Sequence, residues 1–286
     1  MAFEHQIFKQ GSNTYYFSSR FFPRVVRRDV LKLYSFIRVT KDYVAQPIAD
    51  HKSFNDLKKL WEKYSQDTDF SLRHHHEDSI NLRVIKNIIY LQRHYKFEHK
   101  WIESFFDSMQ QTVEKEQFKT LKDTLNYING SAEVIGLMMA RIFGLGKGAD
   151  HFAKLQARAF QQIYFLRDIE EDFNNGIINF PKDELKQFGL SDLSRVHVTV
   201  NPKEFKAFMN FQLERYHKWQ AEAEIGHKFV PRRLRIALKT AVDMANWTAA
   251  EITTDPFTVY HRKLQPNKNH VVRRSLKHLI SPHHLA

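Results

Sequence analysis

Two carboxylates four residues apart give this chain its most direct route to chemistry. In the stretch Gln161 to Pro181, QQIYFLRDIEEDFNNGIINFP, Asp168 and Asp172 follow the apolar run Ile163 to Leu166. At about 100° per residue, positions i and i+4 share one face of a helix, so both carboxylates address the same point. Mg²⁺ takes hard oxygen ligands and keeps several waters; two carboxylates and a ligand's phosphate oxygens make such a site. Arg167 beside them is placed to meet a phosphate bidentately. Glu170, Glu171 and Asp172 also fit a plainer reading, a solvated acidic turn near a helix end, and the acids alone leave both readings open.

The elements that position these acids read as helices. With 9 glycines and 8 prolines in 286 residues, punctuation is sparse and separates long segments of helical period. Pro23 marks a start, and Val26, Val30, Leu33, Tyr34 and Ile37 carry a helix towards Val44, before Pro47. A second helix is expected from Phe54 to Tyr64. The polar stretch from Ser65 to Asp78 reads as a connection, and its His74, His75 and His76 as solvated, since three adjacent histidines cannot share one metal on a helix. Leu82, Ile85 and Ile89 mark a further helical face, and Trp101, Phe105, Met109 and Val113 the next.

Gly130 is expected to break or kink the following helix, and small residues around it allow close approach of a neighbour or a ligand chain. The loop Gly144 to Gly148 lacks the P-loop spacing and reads as a helix connection. The acid-bearing helix is expected from Asp150 to Phe173. VHVTV within Arg195 to Val200 alternates like a strand, but a lone strand cannot pair its backbone, so it is expected as loop. Helices from Glu204 to Glu224 and from Pro231 to Thr253 follow. The tail VVRRSLKHLI, residues 271–280, is amphipathic and basic, which suits an interfacial helix on an anionic membrane or a surface helix docked on the core.

Composition narrows the classes. The chain is 42% apolar with 24 phenylalanines, enough rings to line a pocket. With no cysteine, disulfides, zinc–thiolate sites and cysteine nucleophiles are excluded. A formal charge of +12 favours an anionic partner. No nucleic-acid motif or basic–aromatic surface pattern accompanies it, so nucleic acid is not expected. Without an apolar leader at the amino terminus or a run of membrane-spanning length, the expected location is cytoplasmic, with peripheral membrane contact through the tail as the open alternative. No linker, composition shift or repeat divides residues 1–286, which read as one domain.

GSNTYYFSSRFFP, RRDVLKLYSFIRVTKDYV, YINGSAEVIGLMMARIFG and FLRDIEEDFNNG with INFPKDEL resemble, in order and separation, the squalene and phytoene synthase family. The resemblance covers nearly the whole chain. It implies an all-α isoprenoid synthase fold around a central cavity, and condensation of two prenyl diphosphates, farnesyl or geranylgeranyl, head to head with Mg²⁺. In residue terms it implies metal ligation by Asp168 and Asp172, with Tyr127 at the reacting centre. Ser12, Thr14, Arg38, Lys41, Asp42, Gln161 and Arg167 then fall at substrate-binding positions.

Departures from the family pattern are localised. Lys41 and Ala45 stand where the first motif carries two aspartates, leaving only the neighbouring Asp42. Tyr164 replaces an asparagine, and Ile177 and Asn179 replace an arginine and a tyrosine. An ammonium at Lys41 supplies charge and donors to phosphate but does not bridge as a metal does, so fewer metals are expected. Two further readings follow: a divergent enzyme that ionises one prenyl diphosphate and passes the cation to another acceptor or to water, and a non-catalytic descendant that binds a prenyl lipid or a protein partner. No dinucleotide fingerprint is present, so a reductant such as NADPH is not expected.

Overall fold

Short polar caps and a few turn residues divide the chain into helices. A computed structural model describes residues 2–11, 19–45, 49–67, 79–114, 117–266 and 268–280. The amino-terminal half holds α1 (Ala2–Gly11), α2 (Arg24–Val44), α3 (His51–Ser65), α4 (Ile80–Tyr95) and α5 (His99–Glu114). Asp50 caps α3 by accepting from the Ser53 amide at 2.9 Å, and Ser79 caps α4 by accepting from Leu82 at 3.2 Å. Each cap satisfies one orphan donor of a first turn, worth about 1 kcal/mol. No strand occurs among the described residues, as the all-α expectation requires.

α6 (Leu121–Ile128) opens with a reciprocal Thr120–Asp123 capping box and passes through a wide π-helical turn, Asn129–Glu133, into α7 (Val134–Ile142). The irregularity expected at Gly130 is this turn. A Cβ at Gly130 would meet the Ser104 carbonyl oxygen at 2.1 Å, so glycine lets the turn lie directly on α5. The turn also buries Glu133, which Arg158 and Lys154 neutralise at 2.6 and 3.1 Å.

The carboxyl-terminal half begins with α8 (Asp150–Arg167) and α9 (Ile169–Asn174), followed by α10 (Lys182–Gln187), α11 (Arg195–Val200) and α12 (Pro202–Glu224). It ends with α13 (Arg232–Thr254), α14 (Thr258–His261) and α15 (Lys268–Ile280). Two expectations are corrected here. The acid-bearing helix is not continuous to Phe173: it is interrupted at Asp168, whose φ and ψ of −101° and 15° are not helical. Residues 195–200 are helix rather than loop, because Ser194 caps the segment by accepting from His197 at 3.1 Å and Val198 is wholly buried. Local capping and one buried contact outweigh the β-propensity of its three valines and one threonine.

Two apolar clusters organise these helices. One joins α2 to α5 and α7 through residues such as Phe36, Trp61, Ile85 and Phe105. The other joins α8 to α14 through Ile163, Leu166, Phe208 and Tyr216. Each such fully buried side chain contributes about 1.5–3 kcal/mol of transfer free energy. Buried amides fix α8 against α12: Gln162 donates to Gln212 at 2.9 Å, and Gln156 to Gln220 at 2.8 Å.

The tail is a docked helix. Val271 and Ser275 are buried against the core, Ser275 and Thr240 share a hydroxyl hydrogen bond at 3.2 Å, and His278 Nε2 lies 2.8 Å from Asp243. Of the two sequence alternatives for residues 271–280, the docked surface helix describes this arrangement.

Candidate functional site

A cavity of about 700 Å³ draws its walls from both clusters. α2 contributes Tyr34, Arg38 and Lys41, one helical stripe; α8 contributes Phe152, Gln156, Phe160, Gln161 and Tyr164. Steps of three and four residues keep each stripe on one face. Phe22, Phe143 and Ile135 are among the residues that add hydrocarbon wall.

Asp168 and Asp172 both line this cavity, at the carboxyl-terminal end of α8. The break at Asp168 leaves the spacing intact, because the Asp172 amide still donates to the Asp168 carbonyl at 2.8 Å. Their environments differ. Asp168 is held by Arg167 in a bidentate pair at 2.6 and 2.7 Å, and the same guanidinium lies 4.7 Å from the Tyr164 ring centre. Asp172 is pushed up to about 7, first by burial and then by the like charge of Asp168; a 2.7 Å hydrogen bond from Asn179 opposes this. Gly176, at φ 75°, turns the chain after α9 and so returns Asn179 to Asp172.

Lys41 stands on the α2 wall with Arg38 as its cationic neighbour. It has no carboxylate within ion-pair reach among the described residues. Burial, reinforced by Arg38, lowers its ammonium to about 8. Arg38 is largely exposed and reaches Asp42 at 2.9 Å across one helical turn. Tyr127 lines the cavity beside the acids, its hydroxyl 3.0 Å from that of Thr112, and burial raises its phenol. Gln161 also faces the hollow.

The cavity therefore gathers Arg38, Lys41, Tyr127, Gln161, Arg167, Asp168 and Asp172 from the residues expected in sequence. Asp42 does not join them: it is exposed, absent from the cavity lining, and serves as the partner of Arg38. Ser12 and Thr14 lie outside the described residues, as do His74, His75 and His76. Asn179 and Thr112 were not anticipated as contacts of Asp172 and Tyr127. The sequence signals for Asn179 were its place in the INFP segment just after a glycine turn and its departure from the tyrosine of the family pattern.

Chemically, one end of the cavity concentrates anionic and cationic groups and the rest is mostly aromatic and aliphatic. Two carboxylates on one wall, one of them holding its proton up to about 7, form a donor set that a hard divalent cation would relieve. Among the described residues no group of three or more His, Asp or Glu side chains converges on a metal position. A cation here would take its remaining ligands from water and a bound anion.

Comparison with known proteins agrees with this architecture. The squalene/phytoene synthase family profile matches residues 8–275. The 15-cis-phytoene synthase of Paracoccus sp. (strain N81106 / MBIC 01143) is 23% identical over 263 residues, spanning 91% of this chain and 84% of that one. The 4,4'-diapophytoene synthase of Staphylococcus haemolyticus (strain JCSC1435) is 26% identical over 192 residues, 65% of this chain and 64% of that one. The squalene synthase HpnC from Alicyclobacillus acidocaldarius superposes with a TM-score of 0.75 at 18% identity, covering 90% of this chain and 94% of HpnC. With its profile matched over nearly the full length, the chain belongs to the squalene/phytoene synthase family, prenyltransferases that join two prenyl diphosphates head to head.

Proposed function

We propose that this chain condenses two prenyl diphosphates, farnesyl or geranylgeranyl, into a linear head-to-head hydrocarbon precursor, with diphosphate held at the Asp168–Asp172 end of the cavity. The observation that carries the proposal is the polarity of the hollow: Arg167, Asp168 and Asp172 together at one end, Lys41 on the α2 wall of the same cavity, and a largely hydrocarbon lining for the rest of its roughly 700 Å³. That is the shape of an amphiphile with a doubly charged head and a long apolar tail.

The donor set fits Mg²⁺, which when bound supplies positive charge to the departing diphosphate. Asp168 and Asp172 are the residues to hold it. Lys41 donates to phosphate oxygens from the opposite wall and stabilises the same developing charge. Arg167 orients Asp168 through its bidentate pair. Gln161 and Tyr127 offer an amide and a phenol to the head group as it ionises. The rings of Phe22, Tyr34, Phe143 and Phe160 exclude water from the allylic cation and face it with electron-rich surfaces.

A second reading has its own observation. Lys41 and Ala45 give the α2 wall no carboxylate, so one metal-assisted ionisation is better supplied than two. In that reading the chain ionises a single prenyl diphosphate and hands the cation to another acceptor or to water. Incubation of the purified protein with Mg²⁺ and farnesyl or geranylgeranyl diphosphate, followed by analysis of the lipid extract, separates the two. A C30 or C40 hydrocarbon is the expected outcome; a prenyl alcohol or mixed adduct supports the second reading, and recovery of intact substrate overturns both.

A further inference from the structure

The end of the cavity remote from the acids is built around one ring. Along α8 the hollow is lined from Asp168 and Tyr164 through Phe160 and Gln156 to Phe152. At 1.5 Å per residue, Phe152 stands about 24 Å from Asp168 along the helix axis. There the side chain lies directly on the backbone of Gly226. A Cβ added at Gly226 would meet Phe152 Cβ at 2.1 Å and Cγ at 2.4 Å. The Phe229 ring packs against Phe152 at 5.8 Å between centroids, and the His151 ring approaches edge-on at 5.3 Å. Backbone and rings thus pin Phe152, which also borders the hollow. His227 and Gln156 at the same end are bonded to each other at 2.9 Å.

We infer that Phe152, seated on Gly226, is the stop that gauges how long a prenyl chain the cavity accepts. This rests on the prenyl diphosphate reading, in which the head is fixed at the Asp168–Asp172 end. With the head fixed, the last isoprene unit meets whatever stands at the far end, and a close-packed wall yields little to an added unit. Deleting the ring opens room for about one more unit. Even one methylene in an apolar pocket is worth about 10–200-fold in discrimination.

The test measures dissociation constants of the non-ionising farnesyl and geranylgeranyl thiodiphosphates, with Mg²⁺ present, for the native protein, Phe152→Ala and Phe152→Leu. Phe152→Ala is expected to shift the preference towards the longer chain by about tenfold or more. Phe152→Leu should shift it in the same direction by less, and its retained branched side chain with an unchanged helix signal keeps the comparison free of unfolding. An unchanged preference in folded Phe152→Ala and Phe152→Leu overturns the gauge while native binding leaves the prenyl diphosphate reading standing. Failure of the native protein to bind either analogue overturns both.

Discussion

Replacing Lys41 with methionine should stabilise the fold and weaken catalysis at once. The ammonium sits in the cavity wall next to Arg38, without a carboxylate partner among the described residues, and is lowered to about 8. Below about 8 it is charged in both the folded and unfolded chain, so the full cost of burying that charge is present. As pH rises from there to the ordinary lysine value of 10.5, the unfolded chain retains the proton that the folded chain has lost, and the cost fades. At about 1.36 kcal/mol per pH unit the cost is on the order of 3 kcal/mol. Methionine keeps the unbranched stem and removes it. At roughly 2–4 °C per kcal/mol for a chain approaching this size, Tm at pH 7 should rise by several degrees, and the gain should vanish near pH 10.5.

Catalysis should move in the opposite direction. A hydrogen bond from a charged donor to phosphate is worth about 1.5–3 kcal/mol, so kcat/KM at pH 7 should fall by roughly 10- to 150-fold. The native profile should also decline above about 8 as Lys41 loses its proton, a limb that Lys41→Arg should move to higher pH because a guanidinium stays charged. Thermal melts at neutral and alkaline pH, paired with steady-state release of diphosphate, read both effects. A lower Tm at pH 7 together with unchanged kcat/KM would refute the assignment of Lys41 as a buried, unpaired cation aimed at substrate.

Two further outcomes follow from named contacts. Asp172 holds its proton up to about 7, so without a cation it contributes stability below the ordinary carboxylate range and loses it as pH rises through 7. Added Mg²⁺ should therefore raise Tm more at pH 8 than at pH 5.5, because its ligands must be deprotonated; equal shifts at both pH values would count against Asp172 as a ligand. Glu184 and Arg215, with side chains only 8% and 13% exposed, pair at 2.5 Å and also engage Gln212, which meets Gln162 on α8. Glu184→Ala strands a buried guanidinium and should cost about 3–5 kcal/mol, read by urea unfolding; a loss under about 1 kcal/mol would show the pair to be solvated.

Much of this was legible in the sequence because helices announce themselves through period. Val30, Leu33 and Ile37 on α2, and the stripe on α8, fall at three- and four-residue steps, and the Asp168–Asp172 spacing survives even the local break between them. What was not legible depends on contacts distant in sequence or on competition among weak local terms. VHVTV favoured an extended chain by side-chain type, yet a Ser194 cap and the burial of Val198 made it helical. The bidentate hold of Arg167 on Asp168 could not be told from a phosphate contact by spacing. Asp42, conspicuous as the surviving acid near an altered motif, lies exposed outside the cavity lining, where it pairs with Arg38. Phe152 and Gly226 are 74 positions apart, and nothing local in either segment signals that one rests on the other.

The central claim is that the Asp168–Asp172 end of the cavity binds a divalent cation together with diphosphate. Calorimetric titration of inorganic pyrophosphate into the native protein, with and without Mg²⁺, and into Asp168→Ala and Asp172→Ala, addresses it directly. Mg²⁺-dependent binding in the native protein, lost or weakened by at least about tenfold in both variants, is the predicted result. Native binding that ignores Mg²⁺, or binding of undiminished strength in both variants, would contradict it.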